Sequence, residues 1–282
     1  MNNPYGKVTL ITGASSGIGK CTADDLMNRG FRVYGVSRSG GRDKRSEDGF
    51  LRMLCMDVCD EASVRSAVDE VIAKEGRIDI LINGAGIGIC GAVEDCSAKD
   101  AVKQMDTNYF GVIRMLNAVL PHMRERRNGL IINIGSVGGI FSIPFQTLYS
   151  SSKFAVEALT EGLRMELRPW GIKAALVEPG DTKTGFTGAR RYAEGTDKSA
   201  YGDAFKSSIA QMEKDERNGM PPNSVTKAIL SLIKSKNPPV RRTVGIKYKL
   251  FVGLKRFFPA RVVELILTSI YAKGDKPDGK QT

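Results

Sequence analysis

The sequence predicts an α/β protein built on a doubly wound parallel sheet, as a single domain with a helical extension at its carboxyl end. Short apolar segments of strand length alternate with longer segments of helical periodicity, which is typical of a parallel sheet covered on both faces. The chain of 282 residues is 41% hydrophobic, and neither an internal repeat nor a Pro/Ser-rich linker divides it. It is therefore long enough to bury one large core.

The predicted strands are apolar or alternating runs that end at glycine, proline or charged residues. The first, KVTLIT at 7–12, leads directly into a glycine-rich turn, and the second, FRVYGVS at 31–37, alternates. Pro179-Gly180 ends the sixth strand. In chain order the strands are predicted at 7–12, 31–37, 51–56, 78–82, 130–134, 173–177 and 240–244.

The predicted helices lie between these strands. Gly30 is a C-cap for the first helix, and Val64, Val68 and Val71 repeat at helical spacing in the second. The third is expected to be interrupted near 109–111. In chain order the helices are predicted at 18–29, 61–74, 98–124, 148–168 and 223–234. Right-handed crossovers between successive strands then give a Rossmann-type sheet.

Two segments lie outside this alternation. Residues 181–222 are polar and rich in glycine, which favours a long excursion suited to a mobile lid. Residues 246–272 are apolar with interspersed bases, and 273–282 have the composition of a disordered end. We therefore predict a main domain at 1–245 and a basic, apolar C-terminal extension at 246–282.

Charge and cysteine content argue against two kinds of site. The net charge is +11, but residues 234–282 hold twelve Lys/Arg against three Asp/Glu, so most of the basic excess belongs to the tail. No recognised nucleic-acid-binding motif accompanies it, so we predict no nucleic-acid partner. The five cysteines lack paired spacing, and the one histidine, His122, is remote from any cysteine cluster. This pattern predicts reduced thiols and no metal site.

The glycine-rich turn after the first strand has the composition of a phosphate-binding loop. It reads TGASSGIG at 12–19, between a predicted strand and a predicted helix. Glycines let the backbone approach a pyrophosphate, which free N–H groups and the positive end of the helix dipole stabilise. The spacing differs from GxGxxG. The residues predicted to bind a dinucleotide here are Gly13, Ser15, Ser16, Gly17, Ile18 and Gly19.

The residues after the second strand indicate which dinucleotide is bound. NAD-binding proteins of this fold place an acid there, which bonds the ribose 2′-hydroxyl. This chain has Ser37 and Arg38 instead, and an arginine can stack on adenine and pair with a 2′-phosphate. The sequence therefore favours NADP(H), with NAD(H) as the alternative. A structural interpretation is that Arg38 only begins a basic loop with Arg42, Lys44 and Arg45.

Tyr149 and Lys153 form the only Tyr-x-x-x-Lys pattern in the chain, at the start of the helix after the fifth strand. This spacing puts both side chains on one helix face, one turn apart. A nearby cation stabilises a phenolate and lowers the pKa of the tyrosine, which can then exchange a proton near neutral pH. Taken alone, the pair favours a solvated lysine beside a helix tyrosine, so the proton-transfer interpretation depends on the rest of the chain.

Taken together, these residues resemble the short-chain dehydrogenase/reductase family over about residues 5–245. The resemblance rests on motifs that occur in the family's order. They are the glycine loop, Asp57-Val58 after the third strand, Asn83-Gly84-Ala85-Gly86 after the fourth, Asn108 in TNYFG, Ser136 thirteen residues before Tyr149, and Pro179-Gly180 followed by Thr182 and Thr184. Gly84 stands where the family usually has a second asparagine, and this departure removes one structural polar group.

The resemblance implies a dinucleotide-binding catalytic domain that interconverts alcohols and ketones. Tyr149 would be the general acid for reduction, and Lys153 would lower its pKa and bond the nicotinamide ribose. Ser136 would orient the substrate oxygen, and Asn108 would hold a water that links Lys153 to solvent. The further cofactor contacts that it implies are Asp57 and Val58 at the adenine, Asn83, Ala85 and Gly86 along the cofactor wall, and Pro179, Gly180, Thr182 and Thr184 near the nicotinamide.

A finer resemblance is to the branch that includes 17β-hydroxysteroid and retinol dehydrogenases. It rests on the segments 93–95, 121–123, 162–167 and 178–181. It implies a steroid- or retinoid-like or other bulky apolar carbonyl as substrate, and family habit implies a homodimer or homotetramer. A non-catalytic NADP-binding redox sensor on the same fold is the alternative function. The complete set of Asn108, Ser136, Tyr149 and Lys153 argues against that alternative.

The basic tail at 246–272 has two interpretations. It can be a substrate-pocket lid or a subunit contact, or it can be an interfacial helix with bases at lipid headgroups. Residues 1–7 lack a signal-peptide pattern, and the apolar runs are too short to span a bilayer. We therefore expect a soluble, cytoplasmic protein, with peripheral membrane contact through 246–272 left open.

Overall fold

The computed structural model describes residues 3–255 and 257–272. The strands are β1 Val8–Thr12, β2 Arg32–Ser37, β3 Lys44–Arg45, β4 Phe50–Cys55, β5 Ile80–Asn83, β6 Ile89–Cys90, β7 Leu130–Ile134, β8 Lys173–Pro179, β9 Arg191–Tyr192 and β10 Arg241–Val244. The helices are α1 Gly17–Asn28, α2 Glu61–Glu75, α3 Ala98–Met105, α4 Gly111–Arg126, α5 Thr147–Leu167, α6 Gly202–Arg217, α7 Pro222–Ile233, α8 Ile246–Lys255 and α9 Ala260–Tyr271.

Eight of these strands form one sheet in the order β10-β8-β7-β5-β1-β2-β4-β3. All neighbours are parallel except the short edge pair β3–β4. The chain runs outward from the central β1 in one direction, then returns to β5 and runs outward in the other. This is the doubly wound, Rossmann-type sheet that the sequence predicts. Its strand order reverses between β1 and β5, where ligands bind in such sheets.

Hydrophobic packing covers both faces of the sheet, which explains why the central strands read as continuous apolar runs. On one face, α1 and α7 contribute Leu26 and Ile229, both fully buried. On the other face, α2, α4 and α5 contribute buried side chains such as Val68, Met115 and Leu163. Burying this apolar surface supplies most of the driving force for folding.

The interruption predicted in the third helix is a π-helical segment at Asp106–Phe110, which joins α3 to α4. The Gly111 N–H donates to the Asp106 carbonyl, five residues back, so the helix widens here. Such π segments often occur at functional sites. Here the widened turn holds Asn108 in the interior, where it is 1% exposed.

The segment 181–222, which we predict as a long excursion suited to a mobile lid, contains the short strand β9 and the 16-residue helix α6. Phe205, Ile209 and Met212 of α6 are buried against Cys90 and complete a third hydrophobic cluster. Charged residues surround these three apolar positions in the sequence, so the composition concealed a helix that tertiary packing stabilises. The excursion therefore contains a packed helix that the sequence analysis did not predict, and its suitability as a mobile lid stays a prediction.

The C-terminal extension forms two helices, α8 and α9. Gly245, in the left-handed region with φ of 96°, separates β10 from α8. In residues 3–255 and 257–272, no helix has both the length and the apolar character needed to cross a bilayer. The disorder predicted for 273–282 lies outside the described residues.

Candidate active site

A cavity opens at the carboxyl ends of β1, β5, β7 and β8, beside the reversal of strand order. The glycine loop forms one end of it, and the beginning of α5 and the chain after β8 form the other. The sequence-predicted residues that line the cavity are Gly13, Ser16, Gly17, Ile18, Gly19, Ala85, Gly86, Ser136, Tyr149, Lys153, Pro179, Gly180, Thr182 and Thr184. Folding thus brings together motifs that are more than 160 residues apart in the chain.

The glycine loop needs its glycines for close backbone packing. Gly13 has φ of 73°, and a Cβ added there would lie 2.9 Å from the Gly84 carbonyl oxygen. A Cβ added at Gly19 would overlap the carbonyl oxygen of Gly13. Ser16 precedes the first residue of α1, and its hydroxyl makes no capping bond to the described backbone. The loop therefore presents the α1 N-terminus to the cavity, which suits a phosphate group.

Two threonines close the walls around this loop. The Thr12 hydroxyl accepts from the backbone N–H groups of Gly84 and Ala85, at 2.9 and 3.0 Å. A Cβ added at Gly17 would lie 3.3 Å from Thr184, so the chain after β8 packs directly against the start of α1. Thr12 supports the cavity wall, a role that the sequence analysis did not assign to it although it opens the TGASSGIG motif.

The residues predicted at the adenine lie beside this cavity, on neighbouring strand ends. Ser37 ends β2 and pairs with Cys55 at the end of β4, so Arg38 and Asp57 follow adjacent parallel strands. The Gly13 N–H donates to the Val36 carbonyl at 3.0 Å, which places the glycine loop beside the same edge. Arg38 is exposed and Asp57 is half-buried. These positions are compatible with an adenosine bound across β2 and β4.

Four predicted residues have different surroundings. Val58 is buried, and its side chain packs against Gly111. Ser15 is exposed beside the cavity rather than in its lining. The Ser37 hydroxyl donates to the Gly40 carbonyl at 2.7 Å. Asn83, from which we expect a cofactor contact, instead donates from Nδ2 to Asn133 Oδ1 at 2.8 Å inside the sheet. Asn83 therefore supports the cavity wall from behind.

Tyr149, Lys153 and Ser136 meet at the centre of the cavity. Tyr149 and Lys153 lie one turn apart on α5, and Lys153 Nζ is 5.8 Å from the centroid of the Tyr149 ring. The ammonium donates to the Ile134 carbonyl at 2.8 Å, at the end of β7. Ser136 follows the same strand, and its Oγ accepts from the Gly138 N–H at 3.0 Å. The serine is therefore both a cap for the 137–139 turn and a cavity residue.

Burial controls the protonation of this group. Desolvation raises the pKa of Tyr149 to about 12, and the Ser136 hydroxyl opposes that shift. Desolvation also lowers the pKa of Lys153 to about 8, and the charge of Glu157 opposes that shift. In the protein alone, the lowered pKa expected for Tyr149 is therefore not found. The reason is that loss of solvent penalises the charged form of both side chains.

The Asn108 side chain holds two backbone segments together. Its Oδ1 accepts from the Ile87 N–H at 2.8 Å, and its Nδ2 donates to the Ile87 carbonyl at 3.0 Å and to Ser152 Oγ at 2.9 Å. Ser152 in turn donates to the Tyr149 carbonyl at 2.7 Å. Both amide hydrogens are used, so a water bridging to Lys153 would need another donor or a carbonyl. The asparagine thus connects the chain after β5 to the helix that carries Tyr149.

The far side of the cavity contains polar residues that the sequence motifs did not reveal. Glu216 of α6 lines it, and its Oε2 accepts from the Thr187 hydroxyl at 2.6 Å. Arg190, whose side chain is 2% exposed, forms an ion pair with Glu216. The Glu216 charge raises the pKa of Tyr149, and the Arg190 charge lowers it. No sequence signal linked these residues to Tyr149, because α6 itself was not predicted.

An apolar groove lies beside this cavity, under helices α8 and α9 of the C-terminal extension. The two share Val137, Ile143 and Tyr271 as wall residues. Beyond them the groove runs between α8 and α9, past side chains such as Phe251, Leu254 and Ile266. The site therefore has a polar end at Tyr149 and a long apolar end beneath the extension.

Comparison with known proteins identifies this arrangement. A sequence model of the family described as short chain dehydrogenase matches residues 7–195. The chain belongs to the short-chain dehydrogenase family. It is therefore an NAD(P)-dependent oxidoreductase, as the resemblance in the sequence implied.

Three similar proteins support the assignment to the short-chain dehydrogenase family. The 3-ketodihydrosphingosine reductase of Bacteroides thetaiotaomicron is 47% identical over 94% of this chain and 98% of its own length. Retinol dehydrogenase 8 of Bos taurus is 33% identical over 90% of this chain and 86% of its own length, in line with the finer resemblance. The structure of ElxO with NADP bound has a TM-score of 0.70 and 27% identity, covering 87% of this chain and 99% of that one.

Proposed function

We propose that this short-chain dehydrogenase uses NADPH to reduce a long-chain ketone that carries an ammonium group next to the carbonyl, as 3-ketodihydrosphingosine does. The observation that carries the proposal is an apolar groove beside the cavity of Tyr149 and Glu216, with which it shares Val137, Ile143 and Tyr271 as wall residues. The 47% identity to a protein named 3-ketodihydrosphingosine reductase supports the same substrate class. The substrate class is thus narrower than the steroid- or retinoid-like carbonyl expected from the sequence.

The residues present fit a dinucleotide. The positive φ angles at Gly13 and Gly17, and the close packing of Gly19 on the Gly13 carbonyl, form a cradle at the α1 N-terminus. Arg38 would pair with a 2′-phosphate at the other end, which favours NADP(H) with NAD(H) as the weaker ligand. The NADP bound to ElxO supports this preference. Thr184, beside Gly17, would contact the nicotinamide end.

In the proposed reaction, bound NADPH supplies a hydride to the carbonyl carbon. Tyr149 donates its phenolic proton to the carbonyl oxygen, and Ser136 holds that oxygen through its hydroxyl. Because the pKa of Tyr149 is about 12, the phenol carries its proton at neutral pH. Lys153 stabilises the phenolate that forms and bonds the nicotinamide ribose. Asn108 holds the chain at Ile87 against α5, and so helps to position Tyr149 and Lys153 at the cavity.

Glu216 would recognise the ammonium group. In a 2-amino-3-ketone the cation is one carbon from the reacting carbonyl, so its partner must lie close to Tyr149. Glu216 and Tyr149 line the same cavity, as that proximity requires. Thr187 and Arg190 fix the carboxylate, and a carboxylate has further lone pairs to offer an ammonium. The Asp181 carboxylate lines the same cavity and adds negative charge there.

The groove would take the alkyl chain. Its walls are aromatic and aliphatic side chains of α8 and α9, facing Val137 and Phe141. Each methylene transferred from water into such a groove contributes about 0.8 kcal/mol. In this proposal α8 and α9 of the extension form a wall of the substrate site together with the catalytic domain at 1–245. Assembly as a homodimer or homotetramer remains part of the proposal.

The test compares 3-ketodihydrosphingosine with the same long-chain ketone lacking the amino group, by following NADPH oxidation. Wild-type protein should reduce both and prefer the amine. Glu216→Gln should lower kcat/KM for the amine about thirtyfold, since hydrogen bonds to charged groups contribute roughly 2 kcal/mol. The ketone without the amine should change much less, and the ratio cancels any effect on Tyr149. Glu213→Gln, on the same helix and paired with exposed Arg217, is the control.

Other outcomes would assign the site differently. Turnover of retinoid or steroid carbonyls with none of the long-chain ketones would favour the substrate class of the retinol dehydrogenase relative. Equal losses on both ketones in Glu216→Gln would remove the ammonium subsite but leave the reductase. Tyr149→Phe should abolish turnover while NADPH still binds. NADPH binding without reduction of any carbonyl would favour the redox sensor instead.

A further inference from the structure

We propose that the outer surface of α8 and α9 docks on an anionic lipid bilayer. We define this docking surface by the apolar side chains Ile246, Leu250, Phe257, Val262 and Leu265 and the bases Lys249 and Arg261. These side chains are separate from those that line the apolar groove. The inference therefore stands whether or not the proposed substrate is correct.

Exposed apolar side chains are concentrated on α8, α9 and the turn between them. Of the 18 large hydrophobic side chains that are exposed in the described part of the chain, ten lie between Ile246 and Ile270; five of these belong to the docking surface and the other five line the groove. Ile246 is 87% exposed and Phe257 is 83% exposed. Single exposed apolar residues are ordinary, but a contiguous group of this kind marks an interaction site.

The positive charge of the docking surface favours an anionic bilayer over a second copy of the chain. Of the five Lys/Arg in residues 246–272, Lys249 and Arg261 belong to the docking surface, and the one acid in that segment is Glu264. A twofold contact between copies would place these bases against themselves, which is unfavourable. A bilayer with anionic headgroups instead accepts the bases at its surface and the apolar side chains below it. Helices of 10 and 12 residues are long enough to lie in that interface and too short to span it.

The groove is lined by the same two helices that carry this surface, and it shares wall residues with the active-site cavity. Phe251, Leu254 and Ile266 line the groove and are still 36 to 39% exposed, so the groove opens between the two helices. Docking would bring that opening to the lipid surface. An apolar carbonyl compound dissolved in the bilayer could then enter without crossing water.

The experiment is co-sedimentation of the full chain at low salt with phosphatidylcholine vesicles, with and without phosphatidylglycerol. Wild-type protein should sediment with the phosphatidylglycerol vesicles. Lys249→Gln with Arg261→Gln should weaken partition about twenty-fivefold, roughly fivefold for each base. Phe257→Ser and Leu265→Ser should weaken it about tenfold each through lost apolar burial.

Two matched controls are exposed residues elsewhere. Lys206→Gln removes a base that is 79% exposed, and Met165→Ser removes an apolar side chain that is 71% exposed. Both should bind vesicles like wild type, and every variant should keep its turnover of a water-soluble ketone. Absence of wild-type sedimentation, or equal sedimentation by the docking-surface variants, overturns the proposal. A changed oligomeric state in Phe257→Ser with unchanged vesicle binding also overturns it and makes the surface a subunit contact.

Discussion

The protonation of Lys153 should control how the reaction depends on pH. Burial lowers the pKa of this ammonium to about 8, so raising the pH from about 7 to about 9 takes its protonated fraction from about 90% to about 10%. The pKa of Tyr149, at about 12, keeps the phenol protonated across that range. If the proposed reaction requires the Lys153 cation, kcat/KM for reduction should fall about ninefold.

The assay measures kcat/KM for NADPH-dependent reduction of a ketone without titratable groups, because kcat/KM reports the pKa values of the free enzyme. Such a ketone also avoids the titration of a substrate amine. Two variants identify the titrating group. Lys153→Arg keeps the charge, so any remaining activity should be flat to about pH 10. Glu157→Gln removes a group whose charge raises the pKa of Lys153, so the midpoint for Lys153 should move to lower pH. Burial and Glu178 raise the pKa of Glu157 itself to about 8, so loss of the titration in this variant would assign it to Glu157 instead.

A wild-type profile that is flat from about pH 7 to about pH 10 would refute this reasoning. So would superimposable profiles for wild type and Glu157→Gln, provided that the variant keeps its Arg241 contact and its thermal stability. The Arg241 guanidinium donates to Glu157 at 2.8 Å, and glutamine preserves an acceptor there. Circular dichroism on each variant separates a shifted pKa from partial unfolding.

Three other predictions follow from the fold and the cofactor cradle. Arg38→Asp should reverse the cofactor preference by removing an ion pair of roughly 2 kcal/mol and adding repulsion; an unchanged NADPH-to-NADH ratio of kcat/KM would exclude Arg38 as the discriminator. Gly19→Ala forces a Cβ onto the Gly13 carbonyl. It should lower the free energy of unfolding by about 1–3 kcal/mol and weaken NADPH binding in a fluorescence titration. Its control, Gly162→Ala, adds a Cβ with nothing within 4 Å and should stabilise α5 by about 0.5–1 kcal/mol. Equal stability and equal NADPH affinity of the two variants would contradict the proposed role of Gly19 in the cofactor cradle. Leu81→Ala, at a fully buried position in β5, should cost about 2–5 kcal/mol in urea unfolding, and a cost under about 1 kcal/mol would mean that this core is not packed as described.

The strands and helices that the sequence predicted correctly are those whose residue pattern lies within a single segment. The strands β1 and β7 are buried on both faces, so their apolar runs are visible without knowledge of their neighbours. The glycine loop and the Tyr149–Lys153 spacing are likewise local, because each depends on one turn or one helix. These signals allowed the sheet and the polar end of the cavity to be predicted together.

What the sequence could not provide depends on contacts between distant segments. Helix α6 has only a few apolar positions, and its stability comes from packing against β6 and the chain before α5. Glu216 and Arg190 reach the Tyr149 environment only because α6 folds over the cavity. The Asn83 amide bonds to Asn133, fifty residues away on the neighbouring strand. No pattern within one segment contains that information.

The raised pKa of Tyr149 also changes the part assigned to Lys153. A lysine that only lowered the pKa of the resting phenol would favour phenolate before substrate binds, and such an enzyme would lack its acid for reduction. Here burial keeps the phenol neutral, and the nearest ammonium is 5.8 Å from the ring centroid. Once the proton has moved to the substrate oxygen, however, the same desolvation makes an isolated phenolate costly. The cation therefore contributes most as negative charge develops on Tyr149, which stabilises the transition state more than the resting enzyme. Removing the Lys153 charge should accordingly lower kcat more than it raises the KM for the ketone.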